Sequence, residues 1–177
     1  MASRYVALIR GINVGKAKRV KMADLRGLME ECGHSEVRTL LNSGNVVFTA
    51  GGGTPDRLGE TIERGMTDRL GVSARVLVLS APDFTTVVEE NGLGEVADNP
   101  SRLLVAFIAD PDRLRLLEPL TKEDWSPEVF GLGSLAAYLW CPAGMLESRL
   151  PEAVGRVLGE ATTTRNWATV KRIQAVL

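Results

Sequence analysis

A cluster of basic residues near the N-terminus is the first feature of the sequence that could do chemistry. Six lysines and arginines lie between Arg10 and Arg26, against a single acid, Asp24. Gly11 and Gly15 would let backbone N–H groups approach an anion, and a helix that follows would present its positive N-terminal end. The segment therefore predicts a phosphate or carboxylate site, with a solvated basic loop as the alternative. The candidate ligand-binding residues are Arg10, Asn13, Gly15, Lys16 and Lys21.

A second group of polar residues follows further along the chain. Asn42, Ser43 and Asn45 offer hydroxyl and amide groups that can both donate and accept hydrogen bonds. They could orient a ligand held by Arg10 and Asn13. The same residues are also what a tight hairpin turn needs, with Gly44 supplying a positive φ.

A third candidate group stands near the C-terminus, in Thr163–Trp167. We expect these residues at the start of the last helix, where a threonine could cap it and Trp167 could bury a large apolar area. Arg165 is a candidate anion clamp because its planar guanidinium pairs with carboxylate or phosphate through two hydrogen bonds. Asn166 beside it completes the predicted ligand-binding set.

Other reactive side chains give weaker signals. Cys32, His34 and Cys141 are too few for a four-ligand zinc site, and Cys32 falls on the apolar side of a predicted helix. The chain has no GxSxG elbow, and the basic loop matches neither GxGxxG nor the P-loop. We assign no metal site, and the catalytic residues and cofactors are unknown; whether the protein is an enzyme is uncertain.

Composition limits the classes of function. The 177 residues are 45% hydrophobic, which suffices for a core, and the formal charge of −1 disfavours a general polyanion binder. We find neither a signal-peptide pattern nor a run of about 18 to 20 apolar residues that would span a membrane. These features predict a cytoplasmic protein with reduced thiols and no membrane partner.

Hydrophobic periodicity predicts the elements that would position the polar groups. The order strand, helix, strand, strand, helix, strand occupies 1–92, with the hairpin of Asn42–Asn45 between its second and third strands. Residues 93–101 lack periodicity and form the predicted linker. The same order returns in 102–177. We expect helices to begin at Thr54-Pro55-Asp56, at Ser80 with Asp83, and at Asp110–Pro111. A later helical segment should break at Pro151, with its second piece starting near Leu150.

The repeated order predicts an α+β protein made of duplicated ferredoxin-like (βαββαβ) halves, each an antiparallel sheet with helices on one face. A doubly wound α/β sheet is the competing interpretation. It would require helices between strands that tight turns join here.

Four motifs resemble a bacterial family known as domain-of-unknown-function family 1697. The motifs are RYVALIRGINVG, Lys21-Met22, LNSGNVVF and TTRNWATV. The resemblance spans essentially the whole chain and implies two ferredoxin-like halves, but no established activity, cofactor or catalytic residue. The chain departs from the pattern at Gly15-Lys16, where two glycines are expected, and at Ala168, where asparagine is expected.

The sequence favours a protein that binds an anionic or phosphorylated small molecule. A nucleic-acid-binding module is the first alternative, disfavoured by the near-neutral charge and by nine aromatic residues with no RNP-type cluster. A protein that forms a homodimer or docks a partner without catalysis is the second.

Overall fold

The computed structural model describes residues 1–177, and the chain divides into two compact units. The first comprises Met1–Phe84 with Ile173–Leu177, and the second comprises Thr85–Arg172. The division falls within a helix ahead of the predicted linker 93–101.

The first unit has the predicted order of elements. They are β1 (Ser3–Ile9), α1 (Met22–Glu31), β2 (Ser35–Leu40), β3 (Asn45–Ala50), α2 (Pro55–Gly65), a π-helical turn (Met66–Leu70) and β4 (Val76–Ser80). Its sheet has the strand order β2-β3-β1-β4 with every neighbouring pair antiparallel. This is the ferredoxin-like arrangement, as predicted.

The second unit repeats that topology. Helix α3 (Ala81–Glu89) bridges the division, and the elements after it are β5 (Leu103–Ile108), a 3-10 helix (Pro111–Lys122), β6 (Val129–Leu132), β7 (Ala136–Trp140), a 3-10 turn (Met145–Glu147), α4 (Arg149–Leu158), a 3-10 turn (Gly159–Ala161), β8 (Thr162–Asn166) and α5 (Trp167–Gln174). The strand order β6-β7-β5-β8 is again wholly antiparallel. The α+β fold with duplicated ferredoxin-like halves is therefore confirmed.

Local sequence explains where several helices begin and end. Thr54 accepts a hydrogen bond from the Arg57 N–H and Pro55 opens α2, as the cap pattern predicts. Ser80 accepts from the Asp83 N–H at the start of α3. The π-helical turn after α2 ends at Gly71, which has a φ of +66° that glycine adopts without strain.

The core of the first unit lies between its sheet and its helices. Tyr5, Ala7 and Ile9 project from β1 towards apolar residues of α1 and α2, such as Leu25 and Ile62. Val6 and Leu8 of β1 and Val47 of β3 alternate with these residues and are also buried, so the two central strands have apolar side chains on both faces. The second unit has a corresponding core of β5 and β7 against α4 and the long 3-10 helix.

Two local predictions need correction. The segment after Asp110 is a 3-10 helix, and Pro119 within it lacks the N–H that an α-helix would use. Thr163–Asn166 are not helical, because they pair with β5 as an edge strand. The predicted helix start near Leu150 is confirmed, because α4 begins at Arg149; the break itself lies at Ser148, and Pro151 sits in the first turn of α4. None of the helices is both long and apolar enough to cross a lipid bilayer.

Candidate functional site

The topology of the first unit places two polar segments at one end of its sheet. Strands β1 and β2 both run antiparallel to β3, so they point the same way. The connection that leaves β1, residues 10–21, and the hairpin tip that leaves β2, residues 41–44, therefore emerge side by side. The ferredoxin-like fold itself makes these segments neighbours.

Asn13 joins the two segments. Its Nδ2 donates to the carbonyl oxygens of Val20 at 2.9 Å and of Asn42 at 2.6 Å, while its Oδ1 accepts from the Val20 N–H at 2.8 Å. Its own backbone N–H donates to Lys18 O at 3.0 Å. The amide thus acts like a short piece of backbone that closes the loop and ties it to the hairpin.

The same region concentrates backbone strain. Four non-glycine residues of the chain have a positive φ, and three of them, Asn13, Lys18 and Leu41, lie in these two segments. Asparagine tolerates this conformation, whereas lysine and leucine adopt it at a cost of about 1 to 2 kcal/mol each. Such strain persists only where surrounding contacts impose it, and it clusters at functional sites.

A cavity of about 660 Å³ opens beside this junction. Its lining residues are Asn13, Arg19, Val20, Lys21, Met22, Asp24, Asn42 and Leu70. The first turn of α1 forms one wall, and Leu70, from the turn that ends at Gly71, contributes an apolar side chain. The size falls within the range of small-molecule sites, roughly 300 to 1,000 Å³.

The charged side chains of the cavity have no protein counterion. The six ion pairs of the structure involve neither Arg19, Lys21 nor Asp24. Arg19 makes one hydrogen bond, from Nη1 to Gly15 O at 3.3 Å. Two cations and one carboxylate therefore face the same space without neutralising one another.

The N-terminus of α1 adds further positive potential. Lys21 occupies the cap position in an extended conformation, and no side chain caps the helix. The first N–H groups of a helix lack partners within it and carry part of the positive end of its dipole. An anion in the cavity would meet these groups together with Arg19 and Lys21.

With this geometry established, comparison with known proteins identifies the family. The family model described as "Protein of unknown function (DUF1697)" matches residues 2–138. The chain belongs to this family. No curated protein matches the chain.

The DUF1697 chain is also similar to a solved structure. "The structure of conserved bacterial protein SP0830 from Streptococcus pneumoniae" shares 25% sequence identity, with a TM-score of 0.79 over 99% of each chain. That neighbour supports the family and fold, and its description names no ligand or activity.

The predicted site residues of this DUF1697 protein fall into three groups: those that line the cavity, those near it in the first unit, and those in the second unit. Asn13, Lys21 and Asn42 line the cavity. Arg10, Gly15, Lys16 and Ser43 belong to the same two segments but are not in its lining, and Asn45, the first residue of β3, is not in it either. Arg19, Val20, Met22, Asp24 and Leu70 were not among the predicted residues. Arg19 is one of the six basic residues counted between Arg10 and Arg26, whereas Leu70 carried no signal of its own.

The hairpin tip shows why Asn45 does not border the cavity. Its side chain is fully buried, and its Nδ2 donates to Leu40 O and to Ser43 Oγ, both at 3.0 Å. Gly44 has a φ of +84°, as the turn interpretation predicts. These contacts shape the turn, and direct contact of Asn45 with a ligand stays a prediction.

Arg165 and Asn166 belong to the second unit. The Arg165 Nη1 donates to Thr163 Oγ1 and Thr164 O, both at 2.9 Å, and burial lowers the pKa of its guanidinium to about 10. Asn166, not a threonine, caps α5, because its Oδ1 accepts from the Thr169 N–H at 2.9 Å. A role for either residue in ligand binding stays a prediction.

The cysteines and the histidine form no reactive cluster. Burial raises the pKa of both the Cys32 and the Cys141 thiols, which disfavours the nucleophilic thiolate. His34 packs against Phe48, with 4.6 Å between ring centroids. No group of three or more His, Cys, Asp or Glu side chains is arranged to hold a metal ion.

Proposed function

We propose that this protein binds an anionic small molecule, with a phosphate or carboxylate group, in the cavity beside the N-terminus of α1. The observation that carries the proposal is that Arg19 and Lys21 both line the cavity and that no acidic side chain pairs with either. Arginine and lysine are the residues that most often bind such anions.

The rest of the lining supports a ligand larger than an inorganic ion. Val20, Met22 and Leu70 offer apolar contact, while Asn42 adds a side-chain amide. Small-molecule sites combine a mostly apolar wall with a few convergent polar groups that orient the ligand. An anion attached to a carbon skeleton would use both kinds of surface.

The strand aromatics favour this function over nucleic-acid binding. Proteins that read single-stranded RNA on a ferredoxin-like sheet stack bases on exposed aromatic side chains. Here the aromatic side chains on the central strands are buried, namely Tyr5, Phe48, Phe107, Tyr138 and Trp140. These five rings are therefore not available for stacking on a base.

A thermal-shift screen tests the proposal. The wild-type protein is heated with inorganic phosphate and with a panel of phosphorylated and carboxylated metabolites, each against sodium chloride of equal ionic strength. A compound that binds the folded state raises the melting temperature in proportion to the logarithm of its concentration. Titration of the best compound then gives a dissociation constant.

Two substitutions that each remove one positive charge show where the anion binds. Arg19→Gln is expected to weaken binding about tenfold, because it removes a charge-assisted contact. Arg26→Gln removes the same charge from an exposed position of α1 that does not line the cavity, and should leave affinity within about twofold. Equal effects of the two variants, or no stabilisation by any anion, would contradict the proposal.

A further inference from the structure

The acid in the cavity suggests what else the ligand carries. Asp24 lines the same space as Arg19 and Lys21, yet its side-chain carboxylate takes part in no ion pair and in no hydrogen bond. A site that selected an anion by charge alone would exclude a carboxylate from its wall, because like charges repel. Asp24 therefore needs an explanation that the anion does not provide.

The position of Asp24 in its helix gives a partial explanation. It is the third residue of α1, where an acid interacts favourably with the helix dipole. That role does not require the carboxylate to border a cavity. Asp83, the third residue of α3, is exposed and is not in the cavity lining. Both aspartates interact with the dipole of their helix, but only Asp24 lines the cavity.

We propose that the cavity selects anions that also carry a hydrogen-bond donor, either an ammonium or a hydroxyl group, which Asp24 accepts. The inference rests on the proposed function, since Arg19 and Lys21 hold the anionic end. An ionised carboxylate is an acceptor only, so it distinguishes ligands with a donor from ligands without one. Arg19 and Lys21 are positive and Asp24 is negative, and they do not pair with one another. This arrangement matches a ligand with an anionic group at one end and a hydrogen-bond donor at the other.

A cavity of about 660 Å³ has room for both ends of such a molecule. The apolar side chains of Val20, Met22 and Leu70 would contact the carbon atoms between them. An analogue without the donor should bind more weakly. It would displace water from the Asp24 carboxylate without donating a hydrogen bond in its place.

Three phosphate monoesters of nearly equal size provide the test. Propyl phosphate ends in a methyl group, 2-hydroxyethyl phosphate in a hydroxyl group and 2-aminoethyl phosphate in an ammonium group. Dissociation constants are measured by calorimetry for the wild-type protein, Asp24→Asn, Asp24→Ala and Asp83→Asn. The wild-type protein should bind one or both of the donor-bearing esters about fivefold more tightly than propyl phosphate, since a partly solvated charged contact is worth up to about that ratio.

The variants show whether Asp24 is the acceptor. Asp24→Asn should remove the preference for the ammonium compound, while Asp83→Asn should retain the wild-type ratios. Melting temperatures without ligand confirm that each variant is folded, and both substitutions should have similar effects on stability because both remove a first-turn acid.

The possible failures are distinguishable. If all three esters bind equally and Arg19→Gln still weakens them, the anion site stands and the role of Asp24 is refuted. A preference for the ammonium ester that persists in Asp24→Asn also refutes it, and so does a preference for the hydroxyl ester that persists in Asp24→Ala, because asparagine keeps an acceptor oxygen and alanine has none. If none of the three binds and no anion of the screen stabilises the protein, the proposed function fails and this inference fails with it. Preference for the ammonium ester alone identifies zwitterions as the ligand class, and equal preference for both donors identifies hydroxyl-bearing anions as well.

Discussion

At the scale of single residues, Asn13 lies beside the candidate site, as the sequence predicts, but its side-chain amide binds backbone groups of the protein. The sequence indicates that Asn13 contributes a hydrogen-bonding group near the basic loop. In the structure both Nδ2 hydrogens are used by the carbonyl oxygens of Val20 and Asn42. Asn42 lies 29 residues away, and only the folded chain brings it into reach. Sequence periodicity carries no information about such a pairing.

Gly44 allows a direct test of how tightly the hairpin tip is held. A Cβ at this position would lie 2.8 Å from the Ile9 Cβ and 3.1 Å from two atoms of Ile12, and φ is +84°. We expect Gly44→Ala to lower the free energy of unfolding by about 3 kcal/mol, from steric overlap plus backbone strain. Urea denaturation monitored by circular dichroism measures the change.

Gly15 is the matched control for that substitution. Its φ is +66°, but a Cβ there would have no atom within 4 Å. Gly15→Ala should therefore cost only the backbone term, about 1 kcal/mol. If both variants lose the same stability, the contact with Ile9 is not what fixes the hairpin tip.

At the scale of elements, local signals predict the helix starts that depend on neighbouring residues and miss those that depend on distant ones. The caps at Thr54 and Ser80 follow from the adjacent sequence and are confirmed. Helix α4 begins differently. Ser148 makes no side-chain cap, and the buried Glu128 carboxylate accepts from the N–H groups of Arg149 and Leu150, both at 2.8 Å.

Replacing Glu128 by glutamine tests this distant cap. Glutamine keeps one acceptor oxygen and turns an NH₂ donor towards a backbone N–H, so one bond is lost and one donor is left unpaired. We expect Glu128→Gln to lower the free energy of unfolding by about 1 to 3 kcal/mol. Chemical denaturation at pH 7 provides the measurement.

Glu152 supplies the comparison on the same helix. It pairs with Arg156 in an exposed contact, so Glu152→Gln should change stability by less than about 0.5 kcal/mol. Hydrogen exchange can localise the effect, since loss of the Glu128 cap should increase exchange in the first turn of α4. Uniform exchange changes in both variants would rule out a specific cap.

At the scale of the whole molecule, the order of elements predicts the duplicated fold because strand and helix periodicities are local and strong. The candidate cavity is predicted only in part. Its basic wall lies in one continuous segment, and Lys21 is evident there from the sequence. Leu70 and Asn42 approach it through tertiary packing. Which of several basic side chains lines a concavity depends on loop conformation, which composition does not encode.

The pH dependence of global stability should reflect the single histidine of the chain. The His34 ring is buried, its Nε2 has no hydrogen-bond partner, and burial lowers its pKa below the usual 6.5. The unfolded chain therefore binds the proton more readily than the folded protein. The contribution of His34 to stability should be greatest above pH 6.5. It should fall as the pH decreases, until the pH passes the folded-state pKa.

His34→Gln is expected to reduce that slope. Urea midpoints of the two proteins between pH 7.5 and pH 5, roughly the range in which a histidine changes charge, give the comparison. Carboxylates titrate alike in both proteins, so the difference curve isolates His34. Parallel curves would show that His34 gains its proton over the same pH range in the folded and unfolded states.

The unequal connections that follow the first strands of the two units have a consequence for stoichiometry. After β1 the chain uses residues 10–21 to build one wall of the cavity, whereas after β5 only Ala109 and Asp110 separate the strand from the next helix. The loop that lines the cavity therefore has no counterpart of similar length in the second unit. A saturating titration should end at one equivalent of ligand per polypeptide, and changes of specificity among relatives should arise by remodelling of a single loop.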